Sequence, residues 1–502
     1  MNTQQISVKD EKKWVGNVIR EDEVTKYFVD GKDFINDDEI VEKLAKNKNP
    51  DKAKIRDILQ KSRAVETLSP NETAALLNVE DEELLEEMYA AASEIKKKVY
   101  DNRIVTFAPL YCSNYCVNNC LYCAFGSENK VQKRRRLTLD EVRNEAEVLA
   151  GEIGHKRLVV VYGEHPVSDV YFIADTIKAI YDVKVRTKNG FGQIRRVNIN
   201  AAPMSINDLT ILRNVGVGTY QVFQETYNHK AYAHVHPAGT LKSNYRWRIY
   251  ALHRALDAGV DDVAIGALFG LYDWRFEVMG LLYHAIDLER LFGGIGPHTV
   301  SFPRLEPAAN TPFTNESRYK VSDEDFKKLV AIIRLSIPYA GMIITARESA
   351  QIRREVIPLG CTQTDASTRI GIGAYSDRYN DQEAERQQFI LGDTRSLDEV
   401  IREFAEMGLI TSFCTAGYRC GRTGEHIMKL LRTGTEARFC KLNAVLTYRE
   451  WLDDFASDET KKVGEKVIRQ EMKEIKEQMS TVYPSLVKYY RRIENGERDL
   501  YF

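Results

Sequence analysis

The chain has 502 residues, 43% hydrophobic and 29% charged, and its 71 Lys and Arg residues balance 73 Asp and Glu residues to a net charge of −2. This composition is typical of a globular protein and excludes global disorder. No run of about 18 apolar residues suggests a membrane span, and the balanced charge argues against a general nucleic-acid binder. The first residues lack the pattern of a secretory signal. We therefore expect a cytoplasmic protein without membrane or nucleic-acid partners.

The eight cysteines lie in two groups and one single position. They occupy positions 112, 116, 120, 123, 361, 414, 420 and 440. Without a secretory signal the compartment is expected to be reducing, where clustered cysteines indicate metal binding or catalysis more often than disulfides.

The first hundred residues predict a helical extension. Apolar residues recur at helical spacing in one Glu- and Lys-rich stretch, at Leu84, Met88, Ala92, Ile95 and Val99. Ser69 followed by Pro70 predicts a helix start before the Ala- and Leu-rich run. No cysteine or histidine falls in this part of the chain, so we assign it no chemistry.

From residue 101 to 375 short β-rich runs alternate with helical patterns. The predicted strands are 104–107, 158–162, 197–200, 219–223, 263–268, 299–302, 342–345 and 369–372. Capping boxes at Thr138 with Glu141 and at Ser396 with Glu399 predict two helix starts. Eight such units predict an α/β fold, a (β/α)8 TIM-type barrel. A doubly wound sheet is the alternative, but no G-x-G-x-x-G follows the first strand.

Two further regions follow the predicted barrel. Residues 376–450 contain the second cysteine group, so we predict a C-terminal auxiliary iron–sulfur region there. Residues 451–502 are charged and predict a helical tail without distinct chemistry.

The first cysteine group directly follows the first predicted strand. Cys116, Cys120 and Cys123 form a C-x3-C-x2-C motif. Three thiolates on one short loop can hold three corners of a 4Fe–4S cluster and leave one iron open for a substrate group. The alternatives are a zinc site, which normally requires four ligands in a closed set, or buried loop thiols. Cys112 is either a fourth ligand or a plain strand-end thiol.

This motif, with Tyr122 just before its last cysteine, resembles the signature of the radical S-adenosylmethionine family. The resemblance implies a 4Fe–4S cluster held by the three cysteines, and S-adenosylmethionine as cofactor. It implies that Tyr122 packs near the adenine, and that Gly163 and Glu164 are the Gly-Glu motif that binds the methionine amino group. A carboxylate is chemically suited to that ammonium.

Further segments resemble the aromatic amino acid lyase branch of this family, and nearest among them the tyrosine lyases of FeFe-hydrogenase maturation. The matching segments are 224–227, 236–237, 270–273, 297–299, 303–304, 345–348 and 421–426. The resemblance implies cleavage of the Cα–Cβ bond of L-tyrosine to p-cresol and dehydroglycine, an electron donor such as ferredoxin or flavodoxin, and hydrogenase-maturation partners. Two alternatives stay open: a 2-iminoacetate synthase-like lyase for thiamine synthesis, and a non-catalytic iron–sulfur scaffold.

Besides Gly163 and Glu164, four residues outside the cysteine groups are site candidates. Arg304 and Arg347 follow predicted strands, and a guanidinium offers a bidentate fork to the tyrosine carboxylate; the alternative for both is structural salt bridging. Glu225 could orient S-adenosylmethionine or substrate. The resemblance makes His284 a candidate ligand to an extra iron of a second cluster, although an isolated His is more often a hydrogen-bonded structural residue.

The second cysteine group departs from the pattern of the family, which has C-x2-C-x22-C near its C-terminus. Here Cys414 and Cys440 keep their spacing, but the middle position is Gly417, which cannot bind iron. Cys420 could replace the missing ligand and complete a second iron–sulfur cluster. Alternatively the site holds a smaller cluster, or the cluster is lost and the reaction stops at dehydroglycine. In the last case dehydroglycine is not converted to carbon monoxide and cyanide, the products that the resemblance implies for a second cluster. A further alternative is that the three cysteines are ordinary packed thiols.

Overall fold

The computed structural model describes residues 8–377 and 384–502. Its strands, in chain order, are β1 (Arg103–Ser113), β2 (Arg157–Tyr162), β3 (Val185–Arg186), β4 (Phe191–Gly192), β5 (Arg196–Asn200), β6 (Thr219–Gln221), β7 (Asp262–Gly266), β8 (Thr299–Ser301), β9 (Gly341–Ile344), β10 (Gln363–Asp365) and β11 (Ile410–Ser412). Strands β1, β2 and β5–β10 lie side by side in chain order, all parallel, and β10 pairs with β1 to close the barrel. The predicted (β/α)8 fold is confirmed.

The helices cover the outside of this barrel. In chain order they are α1 (Val8–Val18), α2 (Asp22–Thr25), α3 (Asp37–Lys46), α4 (Lys52–Arg63), α5 (Pro70–Leu77), α6 (Glu82–Tyr100), α7 (Leu139–Glu147), α8 (Val170–Tyr181), α9 (Ile206–Asn214), α10 (His229–Val235), α11 (Tyr245–Ile249), α12 (Ala251–Asp257), α13 (Trp274–Leu291), α14 (Phe313–Glu316), α15 (Asp323–Ser336), α16 (Ala350–Val356), α17 (Leu397–Glu406), α18 (Gly424–Arg432), α19 (Glu436–Asp454), α20 (Asp458–Gln478) and α21 (Tyr483–Glu494). No helix in the described ranges is both long and apolar enough to cross a membrane.

The predicted N-terminal helices are present, and their apolar faces pack on the barrel helices. The five apolar residues at helical spacing on α6 are all buried, and this helix packs against α15 and α4. Ser69 caps α5 with Pro70 at its first turn, and the predicted capping boxes begin α7 and α17.

The prediction for the eighth strand is wrong. Residues 369–372 form a loop, and the barrel is closed by β10, which pairs with β9 and β1. The apolar β-branched residues Ile370 and Ile372 are buried within that loop. The true strand reads Gln-Thr-Asp: Asp365 lines the interior cavity, and Thr364 accepts a hydrogen bond from Arg353 of α16. A strand without apolar residues gives no periodicity from which it could be predicted.

Strand β1 has eleven buried residues and three neighbouring strands. Its residues from Ala108 onward pair with β2, and Val105 pairs with Gln363 of β10 on one side and with Ser412 of β11 on the other. Strand β11 therefore pairs with the start of β1, before the stretch of β1 that pairs with β2. This pairing fixes the segment that carries Cys414 at the amino-terminal end of the barrel strands.

Glu277 of α13 fixes the chain where it leaves β6. Its carboxyl accepts hydrogen bonds from the Thr226 hydroxyl at 2.5 Å and the Tyr227 amide at 2.8 Å. Burial raises the pKa of Glu277 from 4.5 to about 8, because the two hydrogen bonds offset only part of the lost hydration. The folded protein therefore holds a proton on this carboxyl near neutral pH, next to the segment that carries Glu225.

We expect Glu277 to make the protein less stable as the pH rises. Between its ordinary pKa of 4.5 and about 8 the folded protein binds a proton that the unfolded chain releases, so stability falls across this window. Glu277→Gln removes this titration and should flatten the loss between pH 5 and pH 8 by on the order of 2–4 kcal/mol. Anaerobic urea denaturation at each pH measures it.

Glu86→Gln, at an exposed position on α6, is the matched control and should leave the slope unchanged. Parallel pH dependences of the wild type and Glu277→Gln would contradict the assignment.

Candidate active site

One cavity of about 210 Å³ opens at the carboxyl ends of the barrel strands, the end where barrel enzymes place their catalytic groups. It brings together eight of the predicted site residues, namely Cys116, Cys120, Tyr122, Cys123, Gly163, Glu164, Glu225 and Arg347. These residues follow four different strands, β1, β2, β6 and β9. The barrel closure therefore assembles a site from segments up to 231 residues apart in the sequence.

The three cysteines of the C-x3-C-x2-C motif all face this cavity, and side-chain amides approach their sulfurs. Asn118 Nδ2 lies 3.7 Å from the Cys116 sulfur, and Gln388 Nε2 lies 3.4 Å from the Cys123 sulfur. Such donors stabilise thiolate sulfur when it binds iron. Burial raises the pKa of the Cys120 thiol to about 12, so the free thiol stays protonated. The donor set and the space fit a three-cysteine 4Fe–4S cluster.

Cys112 is not part of this donor set. It lies on β1, is fully buried, and does not line the cavity. Burial raises the pKa of its thiol to about 12, as expected for a small packed side chain.

Arg134 stabilises the conformation of the cysteine loop through hydrogen bonds to its backbone carbonyl groups. Its guanidinium donates to the carbonyl oxygens of Asn114 at 2.7 Å and Phe125 at 2.8 Å, and also to that of Gly126. Loop carbonyls that no strand or helix satisfies need such a partner. No spacing in the sequence distinguishes Arg134 from its basic neighbours.

Gly163 permits the cysteine loop to lie against the end of β2. A Cβ at this position would overlap the carbonyl oxygen of Tyr115, so only glycine fits. The Gly163 amide donates to the Ser113 carbonyl at 3.0 Å, and the Val117 amide donates to the Glu164 carbonyl at 2.8 Å. These bonds fix the distance between the cysteine loop and Glu164.

Glu164 is buried at the end of β2 and held by Asn118. The Asn118 amide donates to Glu164 Oε2 at 2.5 Å, while Asn118 Oδ1 accepts from the Lys242 main-chain amide at 2.8 Å. Burial raises the pKa of Glu164, although Asn118, Arg248 and Lys242 favour its charged form. Asn118 therefore positions Glu164 beside Cys116, a role that the sequence pattern did not reveal.

Glu225 is partly buried and forms ion pairs with two cations. Lys242 Nζ lies 2.7 Å and Arg248 Nη2 lies 3.2 Å from Glu225 Oε1. Burial alone would raise the pKa of Glu225, but the two cations more than offset it and hold the pKa below its ordinary value. Its backbone has a φ of 72°, a conformation rare outside glycine that is typical of functional sites. Lys242 and Arg248 line the cavity and were not among the predicted site residues.

Tyr122 is fixed by His236, with 2.7 Å between its hydroxyl and His236 Nε2. The other ring nitrogen of His236 lies 2.9 Å from the Tyr232 carbonyl, which can only accept, so we assign the proton to Nδ1. Burial lowers the pKa of His236 well below its ordinary value, which agrees with a neutral ring that accepts from Tyr122.

The two predicted arginines have different surroundings. Arg347 lies on the cavity with its guanidinium 3.3 Å from the centre of the Phe389 ring, and no carboxylate in the described ranges forms an ion pair with it. Arg304 does not line the cavity and instead pairs with Glu348 and Asp323. We therefore correct the prediction for Arg304, which has a structural role.

His284 is not near the second cysteine group, so its predicted role as an iron ligand there is wrong. It is buried on α13, where Nδ1 lies 2.9 Å from the Tyr227 hydroxyl and the ring stacks on His253. It does not line the cavity beside Cys414 and Cys440. His298 is the histidine that acts electrostatically on Cys414 and contributes to lowering its pKa.

The second cysteine group lies at the opposite end of the barrel. Arg103, at the start of β1, places Nη1 3.7 Å from the Cys414 sulfur. The hydrogen bond to the Cys440 thiol, with the charge of Arg103, holds the pKa of Cys414 well below its ordinary value. Cys420 is exposed, does not line this cavity, and donates to the Phe502 carbonyl at 3.4 Å. The prediction that Cys420 supplies the third ligand is therefore not supported.

Comparisons with known proteins agree with this geometry. Residues 110–278 match the family model of the radical SAM superfamily, and residues 301–410 match that of the biotin and thiamin synthesis associated domain. The chain is 29% identical over 348 residues to the 2-iminoacetate synthase of Salmonella typhimurium. The aligned region covers 68% of this chain and 86% of the synthase.

Two solved structures share nearly the whole fold. A crystal structure of HydG, a maturase of the FeFe-hydrogenase, is 46% identical, with a TM-score of 0.88, and covers 94% of this chain and 100% of that one. HydG from Carboxydothermus hydrogenoformans is 37% identical, with a TM-score of 0.74, and covers 94% and 98%. Full coverage at this identity shows that the chain belongs to the HydG family of radical S-adenosylmethionine enzymes.

Proposed function

We propose that this protein is a radical S-adenosylmethionine lyase that cleaves the Cα–Cβ bond of L-tyrosine to p-cresol and dehydroglycine. The observation that carries the proposal is the composition of one cavity, where three cysteine thiols, Glu164 and an arginine without a carboxylate partner face each other. This combination suits a cluster, an amino acid sulfonium cofactor and an amino acid substrate together.

Cys116, Cys120 and Cys123 would hold the 4Fe–4S cluster. When bound, the cluster and S-adenosylmethionine supply the 5′-deoxyadenosyl radical that begins the cleavage. Glu164 would accept hydrogen bonds from the methionine ammonium, and Asn118 keeps its carboxylate aimed at the cavity. Tyr122, fixed by His236, would present its ring to the adenine.

Arg347 would bind the carboxylate of tyrosine. A half-buried guanidinium without an acidic partner is stabilised when an anion arrives, and its fork matches a carboxylate. Aromatic residues on the same cavity wall can enclose the phenol ring and exclude water, namely Phe107, Tyr111, Phe223 and Phe389. Glu225, held by Lys242 and Arg248, would orient the polar groups of substrate or cofactor.

The proposal includes partners outside this chain. The cluster must be reduced by a low-potential donor such as ferredoxin or flavodoxin, and the HydG relatives are named as hydrogenase maturases, so hydrogenase-maturation proteins are proposed partners. The similarity to 2-iminoacetate synthase supports a second candidate, the same cleavage in the service of thiamine synthesis. A non-catalytic iron–sulfur scaffold is the third.

Cys116→Ala should abolish both 5′-deoxyadenosine and p-cresol. Only two thiols would remain to hold a cluster that needs three protein ligands. The assay uses anaerobically reconstituted, reduced protein with S-adenosylmethionine and tyrosine, and both products are measured by liquid chromatography. Cys361→Ala, which removes a buried thiol away from the cavity, is the control and should keep both products.

The product pattern separates the three candidates. p-Cresol from the Cys116→Ala protein would refute the cluster assignment. Wild-type protein that makes deoxyadenosine without p-cresol has another substrate. Neither product from protein with an intact cluster would favour the scaffold.

Arg347→Lys should raise KM for tyrosine with little change in its thermal stability. The lysine keeps the charge but loses the bidentate fork, which is worth about 1.5–3 kcal/mol, or about ten- to hundred-fold in kcat/KM. Arg304→Lys is the matched control: it should lower Tm through the pairs with Glu348 and Asp323 and leave KM near the wild-type value. A KM that responds to Arg304 and not to Arg347 would reverse the assignment.

A further inference from the structure

Two charged side chains border the position where the family places the third thiol of the second cysteine group. A Cβ added at Gly417 would lie 3.7 Å from Glu436 Oε1 and 3.8 Å from Arg422 Nε, both ordinary van der Waals contacts. A thiol at 417 would therefore lie beside a carboxylate and a guanidinium, whereas Gly417 itself offers no ligand.

Glu436 and Arg422 form a buried ion pair at that corner. Arg422 Nε lies 3.2 Å from Glu436 Oε1, and both side chains are almost fully buried. The Cys440 thiol donates to the same oxygen at 3.1 Å. Cys440 is thus engaged with a carboxylate and with Cys414, and a buried pair of this kind is costly to break because it would leave an uncompensated charge.

The space between these groups is small. The cavity beside Cys414, Gly417 and Cys440 has a volume of about 10 Å³, compared with about 210 Å³ at the first cysteine group. A cavity of that size holds about one water molecule, far less than a 4Fe–4S cubane. Cys420, the third cysteine of the group, is exposed, bonds the Phe502 carbonyl, and is not among the residues that line this cavity. The residues of this site do not fit the three-cysteine cluster that the family implies.

We infer that this chain carries one iron–sulfur cluster, and that its reaction ends with the release of dehydroglycine. The inference rests on the proposed tyrosine cleavage for the identity of the product, and on the closed second site for its fate. Glu436 and Arg422 close the end of the barrel where the family would place a second reaction.

The chemistry of dehydroglycine decides what must follow. It is an imine with an electrophilic carbon, HN=CH–COO⁻, and in water it takes up one water molecule to give glyoxylate and one ammonia. No oxidant or reductant is needed for that step. With the second site closed, this chain would not break dehydroglycine down further. The class of reaction that would use the product is therefore the addition of a nucleophile to its C=N bond by a separate enzyme.

Iron content tests the closed site directly. Anaerobically reconstituted wild-type protein should bind about four irons per chain, since one 4Fe–4S cluster accounts for them all. The Cys414→Ala/Cys440→Ala protein and the Cys420→Ala protein should bind the same amount, and the Cys116→Ala/Cys120→Ala/Cys123→Ala protein should bind almost none. Mössbauer spectra should show a single cluster type.

The inference would be overturned if the wild type bound about eight irons and the triple variant kept about four of them. Those four would also have to be lost when Cys414 and Cys440 are replaced. Because the triple variant removes only thiols of the first cavity, its circular dichroism spectrum shows whether it is folded. If it is unfolded, the Cys414→Ala/Cys440→Ala protein decides alone: loss of half the wild-type iron overturns the inference.

Product analysis tests the fate of dehydroglycine separately. With tyrosine labelled at its Cα and carboxyl carbons, labelled glyoxylate trapped with a hydrazine should equal p-cresol. Carbon monoxide in amounts comparable to p-cresol would overturn the inference while leaving the proposed lyase intact. Absence of p-cresol would instead refute the lyase proposal, and the iron content would still report on the second site.

Discussion

Both cysteine groups depend on strand β1. Its eleven buried residues span roughly 35 Å at strand spacing, with Arg103 at one end in contact with Cys414 and the loop of Cys116 beginning just beyond the other. The strand also closes the barrel by pairing with β10 and β2 and holds β11 at its start. One backbone element therefore fixes the positions of two sites that have no side chain in common.

Charge is distributed differently at the two ends of the barrel. At the carboxyl end, Glu225 is neutralised by Lys242 and Arg248, whereas Arg347 lies on the cavity without an acidic partner in the described ranges. A half-buried cation without an acidic partner favours an anionic ligand, and this is the physical basis for proposing that Arg347 binds a substrate carboxylate. At the amino end, the acid and base are already paired as Glu436 with Arg422. Among the described residues, the first end therefore presents an unpaired cation to its cavity, whereas the second pairs Arg422 with Glu436 but leaves Glu436 Oε2 and two nitrogens of Arg157 without a hydrogen-bond partner.

The strands with apolar periodicity and the first cysteine group could be predicted from the sequence, because local pattern and spacing determine both. Strand β10 could not, since its Gln-Thr-Asp sequence contains no apolar residue. Nor could pattern separate Arg304 from Arg347: both follow a strand, and only the position of Glu348 shows which one is paired. Asn118, Lys242 and Arg248 act through contacts made across the barrel, which no spacing along the chain reports.

The separation of the two sites explains how the chain can keep one and change the other. Replacing a cysteine by Gly417 alters contacts at Glu436 and Arg422, and none of these residues lines the cavity at the carboxyl end. The first site is instead held by Arg134, Gly163 and Asn118, whose hydrogen bonds stay within the loops that follow β1 and β2. Since sites that share no contacts change independently, the cavity at the carboxyl end can be retained while the residues at the other end change.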